Sequence, residues 1–593
     1  MKLALLLAAL LATPAAAQSY RDRLPEDEVV YFLLPDRFEN GDTANDRGGL
    51  KGDRLVTGFD PTHKGFYHGG DLKGLTRRLD YVEALGATAI WVGPIFRNKP
   101  VQGPKGQESA GYHGYWVTDF TRVDPHLGTD AEFKALVDAA HARGIKVYMD
   151  IIVNHTADVI QYRECGDCAY RSRADYPYAR KGGVAGDAIN DGFAGDSVQT
   201  AQNFAKLTRS DYAYTPFVPA AEKDVKVPAW LNDPIYYHNR GNSTFAGESS
   251  TMGDFAGLDD VATENPRVIK GMIEIFGGWI DRFGIDGFRI DTARHVNPEF
   301  WTAFVPAIEA RARANHIPNF HIFGEVADPD PAALARHTRV DKLPTVLDFA
   351  FARAVNAVSA GEGTDKLATV FAADPLYEGG AATALRLPTF IGNHDQGRAA
   401  YFIRKALPDA SPSELLARTR LAHAMLLLLR GVPTIYSGDE QGFIGDGDDQ
   451  SAREGMFASK TADYNDNLLL GTDKTNAVAN FDTGHPLFRE IAKLSKLRRA
   501  HPALTRGRQV LRFASDKPGL FAVSRFDPGT GAEILIAFNS SATAWSGNVE
   551  VDPRSGAFTA LTGTCPAAPA APGSLTLSVP AFGYAVCAAG KPQ

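Results

Sequence analysis

Eight apolar runs punctuate this chain, most of them followed by a long amphipathic stretch. In order they read VVYFLLPDRF, ATAIWVGPI, IKVYMDIIVNH, IDGFRIDTARH, FHIFGEVAD, TVLDFAF, LPTFIGNHD and PTIYSGDE. Segments such as DAEFKALVDAAHARG and PRVIKGMIEIFGGWIDRFG lie between them and carry helical periodicity. Near-continuous apolar strands that alternate with helices need a parallel sheet covered on both faces. Eight such units predict an α/β fold, a closed (β/α)8 TIM barrel.

Two parts of the sequence do not belong to that alternation. From His155 to about Asp260 the chain is polar, aromatic and glycine-rich, with few strand signals. A connection of that length predicts a domain inserted after the third strand, where long loops shape binding sites. After Thr505 come short strand-like runs, GLFAVSRFD, AEILIAFNSS, FTALTG and SLTLSVPAFGYAVCA, separated by turn residues. They predict a C-terminal antiparallel β-sandwich. The expected division is a leader over 1–17, barrel over 18–155, inserted domain over 156–260, barrel again over 261–504 and sandwich over 505–593.

The leader reads MKLALLLAALLATPAAAQ: a basic Lys2, a short apolar run, then small residues before Gln18. Such a segment is a secretory signal peptide, too short to span a bilayer. It predicts an exported protein, periplasmic or secreted, with no membrane anchor after cleavage. A net charge of −8 and no strong Lys/Arg cluster argue against a nucleic-acid partner. Export permits disulfides. Cys565 and Cys587 flank a hairpin-like segment and are expected to pair. Cys165 and Cys168, in CGDC, have no second CxxC and no evident helix, so a loop-stapling disulfide is expected over a zinc or redox site.

Charged and polar residues stand at the ends of five apolar runs, where a barrel keeps its chemistry. The third ends in Asp150, Asn154 and His155, the fourth in Arg289 and Asp291, and the fifth in Glu325. The seventh ends in His394 and Asp395, and Asp439 and Glu440 follow the eighth. Buried carboxyls are costly unless paired or functional. Several acids on one rim suit glycoside hydrolysis, which needs a nucleophile or base and a proton donor. Arg289, two residues from Asp291, is expected to keep that carboxylate ionised and aimed. The apolar setting of Glu325 is expected to raise its pKa, as a general acid requires.

DIIVNH, GFRIDTARH, GEV and FIGNHD, in that order and spacing, resemble the signature regions of the α-amylase family of glycoside hydrolases. The resemblance covers nearly all of the chain after the leader. It implies a retaining mechanism, with Asp291 as nucleophile, Glu325 as acid/base and Asp395 stabilising the transition state. His155, Arg289 and His394 match residues around the sugar at the cleavage point. GYHGYW matches a further segment, which implies Tyr115 as a stacking platform with His113 near that sugar's hydroxyls. Arg294 and His295 match positions that face the leaving-group sugars. They favour an α-amylase cleaving α-1,4 bonds of starch and maltooligosaccharides over a cyclomaltodextrinase or neopullulanase-like hydrolase or a glucanotransferase. Non-catalytic glucan-binding relatives typically lose a carboxylate, and all three are present here.

ENGDTANDRGG packs Asn40, Asp42, Asn45 and Asp46 into a tight, glycine-bearing turn, as a Ca2+ loop would. With the later HGGD it is similar to the calcium loop of cyclodextrin glucanotransferases, which adds the Gly69 carbonyl and Asp71. The resemblance also implies a second calcium site from Asn154 and the His295 carbonyl. There, the aspartate expected from the inserted domain falls at Gly257, with Asp259 and Asp260 out of register, so that ligand set is incomplete.

Overall fold

The computed structural model describes residues 20–590, so the expected leader over 1–17 lies outside the described residues. Eight parallel strands form one sheet: β1 (Val30–Leu33), β2 (Ala89–Val92), β3 (Lys146–Ile151), β4 (Gly287–Ile290), β5 (His321–Gly324), β6 (Thr345–Val346), β7 (Pro388–Thr389) and β8 (Val432–Tyr436). Their spatial order is 6-5-4-3-2-1-8-7, which is a TIM barrel. At its seam, between β6 and β7, the Asp348 amide donates to the Pro388 carbonyl at 2.9 Å.

The strands are buried throughout, yet their residues sort by parity. Val30, Phe32, Ala89, Trp91, Tyr148 and Phe323 pack with one another in one cluster. Tyr31, Leu33, Ile90, Val92, Val147, Met149, Phe288 and Ile290 join the larger cluster that includes the helices. Alternate residues of a strand face opposite sides, so the first set fills the barrel and the second meets the helical ring. By the same parity Asp150 follows Tyr148 on the inner side, and Arg289 lies opposite to Phe288. In the β3–β4 register Arg289 stands directly beside Asp150.

Helices cover the outside: α1 (Asp130–Ala142), α2 (Pro266–Phe283), α3 (Pro298–Ala314), α4 (Phe349–Ser359) and α5 (Pro412–Leu428) among them. The sequence marks their ends. Thr129 and Glu132 form a capping box at the start of α1. Asn265 caps α2 ahead of Pro266, and Gly284, at φ 68°, stops it in the left-handed conformation.

Between residues 156 and 260 regular structure is sparse. His155–Thr156 pairs with Asp259–Asp260, and Gln161–Tyr162 with Pro216–Phe217. A small cluster of Ile189, Phe204, Leu207, Tyr212 and Ala213 supplies its core. Lys226, with a fully buried side chain, meets Asp259 at 2.5 Å and closes the segment's base. Beyond the barrel, β9 (Arg508–Phe513), β10 (Leu520–Phe526), β11 (Glu533–Asn539), β12 (Trp545–Glu550), β13 (Phe558–Thr562), β14 (Ser574–Val579) and β15 (Tyr584–Ala589) follow. They form an antiparallel sheet, 9-10-11-15-13, with the pair 12-14 packed over it. Cys565–Cys587 and Cys165–Cys168 are both disulfide-bonded.

Candidate active site

Three of the acids predicted at strand ends converge on the rim. Asp291 directly follows β4 and Glu325 directly follows β5, while Asp395 stands on the turn beyond β7. All three line one pocket of about 570 Å3, together with His113, Tyr115, His155, Arg294 and His295. Thr292 adopts a left-handed φ of 46°, a costly conformation for a branched residue that is kept where the surroundings enforce it. That turn aims the Thr292 amide at Glu325 Oε2, 3.1 Å away.

Arg289 is the electrostatic centre. Its Nη1 donates to Asp150 Oδ1 and Asp291 Oδ1, each at 2.8 Å, and its Nη2 lies 2.8 Å from Glu325 Oε2. One buried guanidinium therefore serves three carboxyls, where the sequence suggested a private pair with Asp291. The consequence corrects the expected separation of Asp291 from Glu325. Burial raises Asp291 to about 7, with Arg289 opposing, and raises Glu325 to about 7 against the same arginine. Asp150 rises to about 6, again through burial. A single cation cannot offset the desolvation of three carboxyls, so none of these recovers the ordinary carboxylate range.

Asp395 goes the other way. Burial pushes it up, but the charges of Arg453, which also hydrogen-bonds it, and Arg289 oppose that, and it is held below its usual value. Its side chain is 40% exposed and meets Arg453 Nη2 at 3.0 Å. The histidines are neutral: burial drives His155 and His394 down to about 3 and His113 well below its ordinary value. His155 Nε2 lies 4.0 Å from Asp291 Oδ2 and has no hydrogen-bond partner. Tyr115 is half-buried. Its hydroxyl contacts Asp150 Oδ2 at 3.1 Å and His394 Nε2 at 2.8 Å. Its ring stacks at 5.5 Å on His394 and 5.6 Å on His113. Arg294 reaches the Ala327 carbonyl at 3.3 Å and Asp328 at 3.5 Å, while His295 Nδ1 meets the Ser250 carbonyl at 2.9 Å.

Some sequence expectations do not join this centre, and some of its members were not foreseen. Glu440 is fully buried and accepts from the Tyr31 and Tyr81 hydroxyls at 2.7 and 2.9 Å. Asp439 pairs with Arg398 at 2.7 Å. These two acids brace the barrel wall. Arg453, Gln450, Asp449 and Phe255 line the pocket without having been singled out. They come from loops distant in sequence. The one available signal was that Arg453, in SAREGMF, is a charged residue beside an apolar stretch.

The turn over 40–46 has the donors of a cation cradle. The Asn40 and Asn45 side-chain oxygens are buried and have no hydrogen-bond partner, which is costly unless an ion or water takes them up. Asn40 Nδ2 donates to Asp46 Oδ1 at 2.9 Å. A Cβ on Gly69, at φ 98°, would lie 2.6 Å from both of those atoms, so only glycine brings its backbone so close. Asp71 accepts from the amides of Gly41, Asp42 and Gly74 at 2.7–2.9 Å and shapes the turn. The Asp42 carboxylate turns outward to Lys73 at 2.6 Å. Asn40, Asn45, Asp46 and the Gly69 backbone thus fit a calcium ion, Asp71 supports them, and Asp42 differs from the expected set. At Asn154 the side-chain oxygen is also buried without a partner. The nearby acids are engaged elsewhere, Asp259 by Lys226 at 2.5 Å and Asp260 by His238 at 2.5 Å. That arrangement does not complete the second calcium site.

Comparison with known proteins places the fold in a family. The Streptomyces lividans protein named alpha-amylase is 48% identical over 556 residues, which covers 93% of this chain and 60% of the relative. This chain therefore spans about three fifths of that relative's length. Among solved structures, an Anoxybacillus alpha-amylase superposes with a TM-score of 0.68 at 26% identity, covering 96% of this chain and all of its own. A cyclomaltodextrin glucanotransferase with a three-domain ABC distribution superposes at 0.69 and 26%, covering 95% of this chain and 99% of its own. The model of the alpha-amylase catalytic domain matches residues 32–507, from within β1 to the threshold of the C-terminal sandwich. On a match that takes in nearly all of the barrel and its rim of acids, this chain belongs to the α-amylase family.

Proposed function

We propose that this chain is an exported α-amylase that hydrolyses α-1,4-glucosidic bonds of starch and maltooligosaccharides with retention. The observation that carries the reading is the grip of one buried guanidinium on Asp291 and Glu325, 2.8 Å from each. Carboxyls held on one cation favour the close spacing of retaining glycosidases, roughly 5 Å, over the wider gap that admits a water in inverting ones. In the first step an Asp291 oxygen attacks the anomeric carbon while Glu325 passes its proton to the departing glycosidic oxygen. The C–O bond to the leaving sugar breaks and a glycosyl ester forms. Glu325, now a carboxylate, then takes a proton from water as the water oxygen displaces Asp291. Burial keeps a proton on Glu325 near neutral pH, as its first role requires. Asp395, ionised and clamped by Arg453, bonds to the sugar's hydroxyls as the ring distorts. Tyr115 offers its ring face to that sugar, with His113, His155 and His394 as neutral partners for hydroxyls. Arg294 and His295 face the leaving-group side.

Calcium in the 40–46 turn would be held by Asn40, Asn45, Asp46 and the Gly69 carbonyl, with Asp71 behind them. It would neutralise and fix the turn, whose residues do not line the catalytic pocket. Export rests on the leader at 1–17. Similarity to the glucanotransferase structure favours one alternative, transfer of the glycosyl group to a sugar hydroxyl in place of water. Products from starch, β-cyclodextrin and pullulan separate the two. The test of the main reading is Asp291→Asn, which is expected to reduce starch hydrolysis by at least about 10³-fold with an unchanged circular dichroism spectrum. Substantial residual turnover would remove Asp291 from the nucleophile's place.

A further inference from the structure

A second cavity of about 550 Å3 opens off the catalytic pocket and is nearly its equal in size. The two share Ala327 and Asp395 in their walls. It lies over the barrel's seam. β6 has only two residues, and α4 begins at Phe349 after two more, so the β6–α4 connection adds no long loop to this part of the rim. Phe349 and Phe390, edge to face at 4.9 Å, form the floor. Ala357 on α4 forms part of a wall. At the edge stand Arg353 and Gln396, both exposed. Arg353 has no ion-pair partner among the described residues.

Shape indicates what such a cavity is for. On the proposed mechanism a linear glucan already spans the catalytic pocket, from the sugar held by Tyr115 and Asp395 at one end to the leaving-group side by Arg294 and His295 at the other, all of which line it. A linear chain entering at one end and leaving at the other has no use for a third direction. An aromatic floor with hydrogen-bonding groups at the rim matches a sugar's apolar face and its hydroxyl edge. We infer that this third arm receives the 6-linked glucosyl branch of a branched α-glucan whose main chain lies in the catalytic pocket. The inference rests on the glucan-hydrolase reading and deepens it.

The comparison is between linear maltoheptaose and maltoheptaose with one 6-linked glucosyl branch. The unaltered protein should cleave both with kcat/KM values within roughly threefold. Ala357→Trp, which fills the arm, should lower kcat/KM for the branched sugar about tenfold, mostly through KM, and change the linear sugar by less than about twofold. Arg353→Ala, at an exposed position, should weaken only the branched sugar, by roughly threefold, and carries the test if the tryptophan variant misfolds. Equal effects on both sugars, no effect on either, or refusal of the branched sugar by the unaltered protein would overturn the third arm. Calorimetric titration of the Glu325→Gln protein with both sugars repeats the comparison without turnover. A protein that bound the branched sugar in this pattern and cleaved neither would sink the hydrolase reading and leave the third arm standing.

Discussion

Arg289 and Asp291 look, in sequence, like a self-contained ion pair at the end of a buried strand. Their setting is more crowded. Parity along adjacent strands brings Asp150 beside Arg289, and the next strand adds Glu325, so three carboxyls divide one cation. Burial then dominates, and Asp291 and Glu325 both rise to about 7. Carboxyls that share one buried cation interact strongly enough to titrate as a pair. In the proposed mechanism the active form has Asp291 ionised and Glu325 protonated. Raising the pH through the pair's upper step removes the acid, and lowering it through the other protonates the nucleophile. A bell-shaped kcat/KM profile follows, falling on both sides of about pH 7. A profile that stayed flat down to about pH 4 would show Asp291 in the ordinary carboxylate range, and so an Arg289 that serves it alone. The acids themselves were legible from their places at strand ends. Their shared cation was not, because the strand register that creates it lies outside any one segment.

Loops and turns decide stability at the next scale. The 40–46 turn leaves two buried amide oxygens, on Asn40 and Asn45, without partners, and a cation there would stabilise the folded state by mass action. Chelation with EGTA is expected to lower Tm by several degrees, where roughly 1 kcal/mol corresponds to about 2–4 °C or less in a chain this long. Readdition of calcium should restore it, and an unmoved Tm would mean that the turn binds no ion. Near the base of the inserted segment, the cation is built in. Lys226 →Met would strand Asp259 in a buried site at a cost of about 3–5 kcal/mol. Faster proteolysis within 156–260 is the expected result, and unchanged protease resistance would show that the pair contributes little. The glycine-rich composition marked this irregular segment, and the Asx-rich turn suggested a metal loop. That Asp42 would turn to Lys73 could not be read from spacing, which does not reveal a partner thirty-one residues away.

At the scale of the molecule, eight apolar runs foretold eight strands, and the late change of rhythm foretold the antiparallel sheet. Both follow from periodicity, which is local. The pocket was less legible because it is assembled from ends: Phe255 from the insertion, Asp395 from the turn after β7, Arg453 from the loop after β8. Each is ordinary in its own segment, and Glu440, equally acidic and equally near a strand end, turned out to bond Tyr31 and Tyr81 inside the wall. What unites the ends is the arrangement of two carboxyls about one guanidinium, and the stereochemistry of the reaction reports on it directly. Proton NMR of the sugar first released from a maltooligosaccharide, recorded before mutarotation, should show the α-anomer, since two displacements at one carbon restore its configuration. The β-anomer as first product would contradict Asp291 as a nucleophile and require a water between the two acids.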